Sequence, residues 1–218
     1  MKILNLYACL GGNRYKWSNE HDITAVEWDE ELARMYQERF PNDTVIVDDA
    51  HQYLLDNYKK YDFIWSSPPC PTHSRVKVTQ KNQSFYKPKY PDMNLYQEII
   101  FLEEHFVGKY VIENVIPYYE PLIQAQKRGR HLYWANFIIP NNIDREESKG
   151  LMCGQSQEER IKLCKLHKIK ESLLDTYKGK QSKLKIIRNL VDYKVGEIIL
   201  NAAMGIINKQ NQKQMSLL

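Results

Sequence analysis

Cys70 closes the run Ser67-Pro68-Pro69-Cys70, which follows the apolar stretch Tyr61-Asp62-Phe63-Ile64-Trp65. Each proline fixes its own φ and restricts the residue before it, so the loop is stiff and holds the sulfur in one place. A thiol held at the carboxyl end of a strand is a candidate nucleophile, since the thiolate attacks electron-poor carbon. Free cysteines also serve as small buried apolar residues, and an isolated Pro-Pro-Cys fits that reading too. Three carboxylates, Glu27, Asp49 and Glu113, also stand at or just after short apolar runs, and Gly11-Gly12 follows the first such run. For Asp49 a plain helix cap, and for Glu113 a plain surface position, are the competing readings.

The elements that must position these residues alternate. Met1 to Ala8 reads as a strand, Gly11-Gly12 as a turn, and Thr24-Ala25-Val26-Glu27 as a second strand, with room for one short helix between them. Asp29 caps a helix whose face carries Leu32, Met35, Tyr36 and Phe40 until Pro41 stops it. Val45 to Val47 is a third strand, His51 to Tyr58 is helical, Tyr61 to Trp65 is a strand, and Asp92 opens an amphipathic helix through Ile99, Ile100 and Phe106. Lys109 to Glu113 and Leu132 to Trp134 are strands again. This order predicts an α/β fold: a mostly parallel sheet with helices on both faces and a ligand crevice at the carboxyl ends of its strands.

After Phe137 the texture changes. Asn141 to Lys185 is polar and rich in Lys and Glu, with helical spacing around Glu158 to Leu166. From Ile186 an apolar pattern resumes at Ile187, Leu190, Val191, Val195, Ile198, Ile199 and Ala202. The expected division is a main domain over 1–137, a small inserted segment over 138–185, and a return to the core over 186–218 that ends in a frayed tail from Asn208.

A chain of 218 residues, 43% hydrophobic, can bury one good core with a small appendage. No stretch approaches the length of a membrane span, so a soluble, unsecreted protein without a membrane partner is expected. The net charge of +4 suits a polyanionic partner without demanding one. Cys9, Cys70, Cys153 and Cys164 are scattered, which predicts free thiols in a reducing compartment. Cys153, Cys164 and His167 have too long a first gap and lack a fourth ligand, so no metal is expected. Arg75, Lys77, Lys81, Lys87 and Lys89, interleaved with Phe85, Tyr86 and Tyr90, form a basic aromatic stretch that suits phosphates and opened bases, although a solvated loop would look similar.

Taken in order, these motifs resemble the cytosine-5 DNA methyltransferase family, which has a Rossmann-like methyltransferase fold and uses S-adenosyl-L-methionine. Tyr7-Ala8-Cys9-Leu10-Gly11-Gly12 is similar to the first motif, with Cys9 where the family usually has glycine. The resemblance gives Glu27 to the ribose hydroxyls, Trp28 to the adenine face and Asp49, or its neighbour Asp48, to the adenine amino group. It makes Cys70 of Pro68-Pro69-Cys70 the nucleophile, with Ser74 at a family serine and Pro71 and His73 in place of glutamine and phenylalanine. Ile112-Glu113-Asn114-Val115 resembles the Glu-Asn-Val motif, whose acid binds the cytosine amino group and ring nitrogen. Gln126-Lys127-Arg128-Gly129-Arg130 matches Gln-x-Arg-x-Arg: by resemblance Arg130 holds the base carbonyl and orders Glu113, while Arg128 supports the nucleophile loop. Arg188-Asn189-Leu190-Val191 is similar to a closing Gly-Asn-x-Val motif, with Arg188 for glycine, and places Asn189 at the cofactor pocket.

The resemblance implies methylation of cytosine carbon 5 in double-stranded DNA, with base flipping and release of S-adenosyl-L-homocysteine. It places the protein in the cytoplasm of a bacterial or phage-infected cell, with restriction and modification among its settings. Ser74, Arg75, Lys77 and Lys81 fall where the family has a loop that closes over the flipped base. Because 138–185 is short for target recognition, a short recognition sequence or a helper protein is implied. Two alternatives stay open: the same chemistry on transfer RNA, and a silent nucleic-acid or cofactor-binding module.

Overall fold

The computed structural model describes residues 1–75, 87–143 and 157–206. Lys77, Lys81, Cys153 and the expected tail from Asn208 lie outside the described residues. Among the described residues the sheet has seven strands: β1 (Lys2–Leu6), β2 (Asp22–Glu27), β3 (Thr44–Val47), β4 (Phe63–Ser66), β5 (Lys109–Val115), β6 (Gln126–Arg128) and β7 (His131–Ala135). Their order is β3-β2-β1-β4-β5-β7-β6. The first five are parallel, and their register puts Leu6 opposite both Val26 and Ser66, and Ser66 opposite Ile112. The strand order therefore reverses between β1 and β4, where a parallel sheet opens its ligand crevice.

β7 runs antiparallel between β5 and β6. A parallel return needs a crossover of a dozen or more residues, and only Gly129 and Arg130 separate β6 from β7. Gly129, at φ +54°, takes the left-handed conformation that a two-residue hairpin favours.

Alternation along the strands fills two layers. Ile3, Ile23, Phe63, Trp65, Val111 and Tyr133 face Val195, Ile199 and Leu200 of the last helix, α7 (Tyr193–Ala203). Leu4, Leu6, Ile64, Ile112 and Trp134 face the opposite layer, made by α2 (Ala50–Asn57) and α3 (Asn94–His105). α1 (Glu30–Arg39) and its C-cap Phe40 bring Tyr36 and Phe40 against Ala8 and Ala25. The Asp29 carboxylate caps α1 by accepting from the amides of Glu31 and Leu32. Asp92 accepts from the Asn94 amide at 3.1 Å, just ahead of α3. The short helix expected between β1 and β2 is a 3₁₀ turn, Asn13–Lys16, in which buried Arg14 pairs with buried Asp43 at 2.8 and 2.9 Å.

Three short helices, α4 (Gln157–Leu166), α5 (Glu171–Asp175) and α6 (Lys183–Arg188), precede α7. Their Leu163, Cys164, Leu173, Leu174, Ile186 and Ile187 share one apolar cluster with Leu10, Leu32 and Met35. Residues 157–185, read from sequence as the body of an inserted segment, are thus packed onto α1 and the turn after β1. The polar composition concealed this, since helices this short bury only a few residues each.

Candidate active site at the strand ends

The turn leaving β1 is left-handed at two side-chain-bearing residues, Tyr7 at φ +55° and Cys9 at φ +47°. Such a conformation costs about 1–2 kcal/mol for a residue with a β-carbon, which is why glycine is the easier choice there. Cys9 nevertheless keeps the turn, because its amide donates to Glu27 Oε2 at 2.8 Å and the Ala8 amide donates to the Val26 carbonyl at 3.0 Å. The Cys9 residue is half-buried, and burial followed by the nearby Glu27 charge pushes its thiol pKa far up. It is an uncharged part of the turn.

Gly12 is required by close approach: a β-carbon there would lie 2.3 Å from the Val191 carbonyl oxygen. This contact seats the closing motif, Asn189-Leu190-Val191, against the Gly-rich turn. Arg188, which stands where the family has glycine, turns away to Glu159 and binds both of its carboxylate oxygens at 2.8 Å. The departure from the family pattern therefore anchors α6 to α4.

Glu27, at the end of β2, is buried and accepts a second hydrogen bond from the Asp29 amide at 3.1 Å. Burial raises its pKa, while the amides of Asp29 and Cys9 pull the other way. Trp28 beside it is 75% exposed, a flat apolar surface left open at the crevice. Asp49 is the cap of α2, accepting from the Gln52 amide at 3.0 Å, and Asp48 in turn accepts from the Asp49 amide at 2.8 Å. Capping uses one oxygen of Asp49, and a carboxylate has a second with which to accept a ligand amine.

Cys70 stands beyond β4, half-buried after buried Pro68 and exposed Pro69. Burial and then the Glu113 charge raise its pKa, against a backbone hydrogen bond and Lys185, which lower it. The sulfur thus feels Glu113 from β5 and Lys185 from α6. Residues 73–75 are docked rather than free. The amides of His73 and Ser74 donate to the Cys70 carbonyl at 3.0 and 3.1 Å, the His73 ring lies 2.6 Å from the Tyr119 hydroxyl, and Ser74 bridges to Pro117. Exposed Arg75 donates from Nε to the Pro117 carbonyl at 3.1 Å.

Glu113 and Asn114 divide the work of β5. Glu113 is buried, with His131 Nε2 3.4 Å from its Oε1. Asn114 donates to the Pro68 carbonyl at 3.0 Å and so ties β5 to the nucleophile loop. That support had been expected from Arg128. Instead the Arg128 guanidinium donates to the carbonyls of Ile139, Pro140 and Lys127. Arg128 lies on the edge strand β6, which β7 separates from β5, so the chain following β7 is the nearer acceptor. Arg130 is exposed in the hairpin turn, its carbonyl accepting from the Ile116 amide at 3.3 Å.

Sequence reasoning missed His131, which directly follows the arginine motif, and Lys185. It also missed Glu98, whose signal was available: Glu98 falls on the stripe Leu95, Ile99 and Leu102 of α3, and a charged residue on a buried stripe needs partners.

Residues 1–117 match the family model of C-5 cytosine-specific DNA methylases. No curated protein matches the chain. Among solved structures, the chain is similar to a DNMT2 mutant from Spodoptera frugiperda, 28% identical, covering 52% of this chain and 35% of that one, with a TM-score of 0.38. It is also similar to a putative DNA modification methyltransferase encoded within an E. coli prophage, 20% identical, covering 55% and 34%, with a TM-score of 0.37. The chain thus spans little more than a third of either of these two. Entamoeba histolytica methyltransferase EhMeth is 10% identical, covers 96% of this chain and 99% of its own, and has a TM-score of 0.53, a likeness of fold. The family match takes in the Gly-rich turn, Glu27, Asp49, Cys70 and Glu113 in one continuous span, and this chain belongs to the C-5 cytosine-specific DNA methylase family.

Proposed function

We propose that the protein is a DNA cytosine-5 methyltransferase with Cys70 as its nucleophile. The observation that carries this reading is the joining of two strand ends: Asn114 holds the Pro68 carbonyl, and the adjacent Glu113 acts electrostatically on the Cys70 thiol. A buried structural cysteine needs neither a tethered loop nor a facing acid.

The residues present fit S-adenosyl-L-methionine. Tyr7, Ala8, Cys9, Gly11 and Gly12 form the turn, buried Glu27 ends β2 with a carboxylate suited to ribose hydroxyls, exposed Trp28 offers a face for adenine, and Asp49 offers an acceptor for its amino group. Pro68 and Asn189 would border the methionine end. When bound, this cofactor supplies an electrophilic methyl group. The chain's own task is to make carbon 5 of cytosine nucleophilic. The Cys70 proton passes to solvent as the sulfur attacks carbon 6: an S–C bond forms, the carbon 5–carbon 6 double bond opens, and its electrons move toward carbon 5. Glu113 accepts from the amino group and passes a proton to ring nitrogen 3, while Arg130 donates to the carbonyl, so the charge that the attack places on the ring is neutralised as the bond forms. After methyl transfer, water takes the carbon 5 proton, the C–H electrons re-form the carbon 5–carbon 6 double bond, and the S–C bond breaks to release the Cys70 thiolate.

Double-stranded DNA is the proposed partner, held by Ser74, Arg75, Lys77 and Lys81. With residues 157–185 packed on α1, the recognition surface is small, and a short target or a helper protein follows from that. The test is covalent trapping on duplex DNA carrying 5-fluorocytosine, where carbon 5 cannot lose its substituent. A stable complex that requires Cys70 is expected. Methyl transfer confined to structured RNA would replace the DNA reading with the transfer RNA one, and cofactor binding without trapping on either polymer would leave a binding module.

A further inference from the structure

Glu98 has no exposed side-chain surface, yet its carboxylate gathers groups from three separate segments. The Tyr7 hydroxyl donates to Oε1 at 2.6 Å, the Ser66 hydroxyl donates to Oε2 at 2.6 Å, and His51 Nδ1 lies 3.1 Å from Oε1. Tyr7 belongs to the left-handed turn after β1, Ser66 is the last residue of β4 ahead of the Pro68-Pro69-Cys70 loop, and His51 stands in the first turn of α2, beside the cap Asp49. An enclosed carboxylate is costly unless charge-assisted hydrogen bonds satisfy it, and a leucine would pack the same α3 stripe without that cost. What the carboxylate adds over an apolar residue is geometry, since it fixes three strand-end segments to one point.

We infer that Glu98 is a positioning residue that locks the cofactor turn, the adenine side of the crevice and the nucleophile loop together, so that cofactor affinity and Cys70 placement depend on one carboxylate. The inference rests on the methyltransferase reading. His51 makes the lock pH-sensitive. It faces Glu98 and Gln97 from α3 and Asp49 from its own helix cap, and its hydrogen bond to Glu98 raises its pKa above the ordinary imidazole value. The imidazolium and carboxylate attract below that pKa, and the attraction is lost as pH rises through it.

The experiment is calorimetric titration of the full chain with S-adenosyl-L-homocysteine, beside trapping rates at saturating cofactor. E98Q is expected to weaken binding about tenfold and to slow trapping by a similar factor, because its amide cannot accept from every donor. S66A is the more telling variant: Ser66 reaches Glu98 from the nucleophile side, and its loss should still weaken cofactor binding, by about threefold. The decline in affinity of the wild type between about pH 6 and 8 should flatten in H51Q. Folded E98Q and S66A proteins that bind as the wild type does, with unchanged pH profiles, would overturn the inference alone. Should E98Q not fold, S66A and H51Q decide it in the same way. A wild type that binds no S-adenosyl-L-homocysteine would instead sink the methyltransferase reading, and this inference with it.

Discussion

The two halves of the crevice are held in different ways. On the side of β1, β2 and α2 nearly every polar group is committed within the protein: Glu27 to the amides of Cys9 and Asp29, Asp49 to its helix, and Tyr7 and His51 to Glu98. On the side of β5 to β7 the charges are looser, with Arg130 exposed in a turn, Arg75 exposed after the nucleophile loop, and His131 against Glu113 at a long 3.4 Å. A small cofactor carries little binding energy with which to organise a site, so its side must be preorganised. A polyanion brings many charges and can order lysines and arginines as it arrives. The difference fits the proposed function, in which one pocket is built in advance for the cofactor and the other is ordered by the nucleic acid.

The sharpest way to break this contrast is at Cys70. C70A should abolish trapping on 5-fluorocytosine DNA while leaving S-adenosyl-L-homocysteine affinity within about twofold, because the thiol lies outside the prebuilt side. A large loss of cofactor affinity in that variant would merge the two halves. Next in size, E27A removes a charged acceptor of two amides, and about 2 kcal/mol of cofactor binding, some 30-fold in calorimetric Kd, should go with it.

The pH dependence of Cys70 alkylation comes third. Burial and Glu113 hold the thiol above its ordinary pKa, so the thiolate is the minor form throughout the neutral range. Iodoacetamide labelling of Cys70, followed by mass spectrometry, should therefore quicken by about tenfold per pH unit from pH 7 to 9 in the absence of nucleic acid. A plateau below pH 8 would mean that the substrate side is also preorganised. Last, R130A should slow trapping about tenfold and leave both cofactor affinity and thermal stability almost unchanged, with a stability change inside about 0.5 kcal/mol, as for an exposed side chain.

The legibility of the sequence follows the same divide. Glu27, Asp49 and Cys70 could be placed at or just beyond strand ends because short apolar runs and turn residues bracket each of them; Glu113, read as ending its strand, is two residues short of the end, since pairing with β7 carries β5 on to Val115. The direction of Arg128 could not be read, since it depends on β7 lying between β6 and β5. Nor could the packing of residues 157–185, whose buried side chains are spread over three short helices in a polar stretch. Cys9 was legible as an exception to the family glycine. That it keeps the glycine conformation depends on a hydrogen bond to a residue on another strand. Glu98 could have been flagged from its stripe alone, though its three partners could not.

The seating of Gly12 on the Val191 carbonyl, with Gly196 closer still to the Asn13 carbonyl, bears on how the protein comes into being. Every residue given a part in the attack on carbon 6 lies before Ala135, yet the wall of the crevice is supplied by a segment the ribosome delivers much later. A nascent chain can complete the parallel strands and still lack a finished pocket until α6 and α7 dock against the turn it made first. Contacts across so long a stretch of sequence form slowly. Ligand retention during synthesis should therefore appear in a single late step, which makes cofactor capture a report on completed folding.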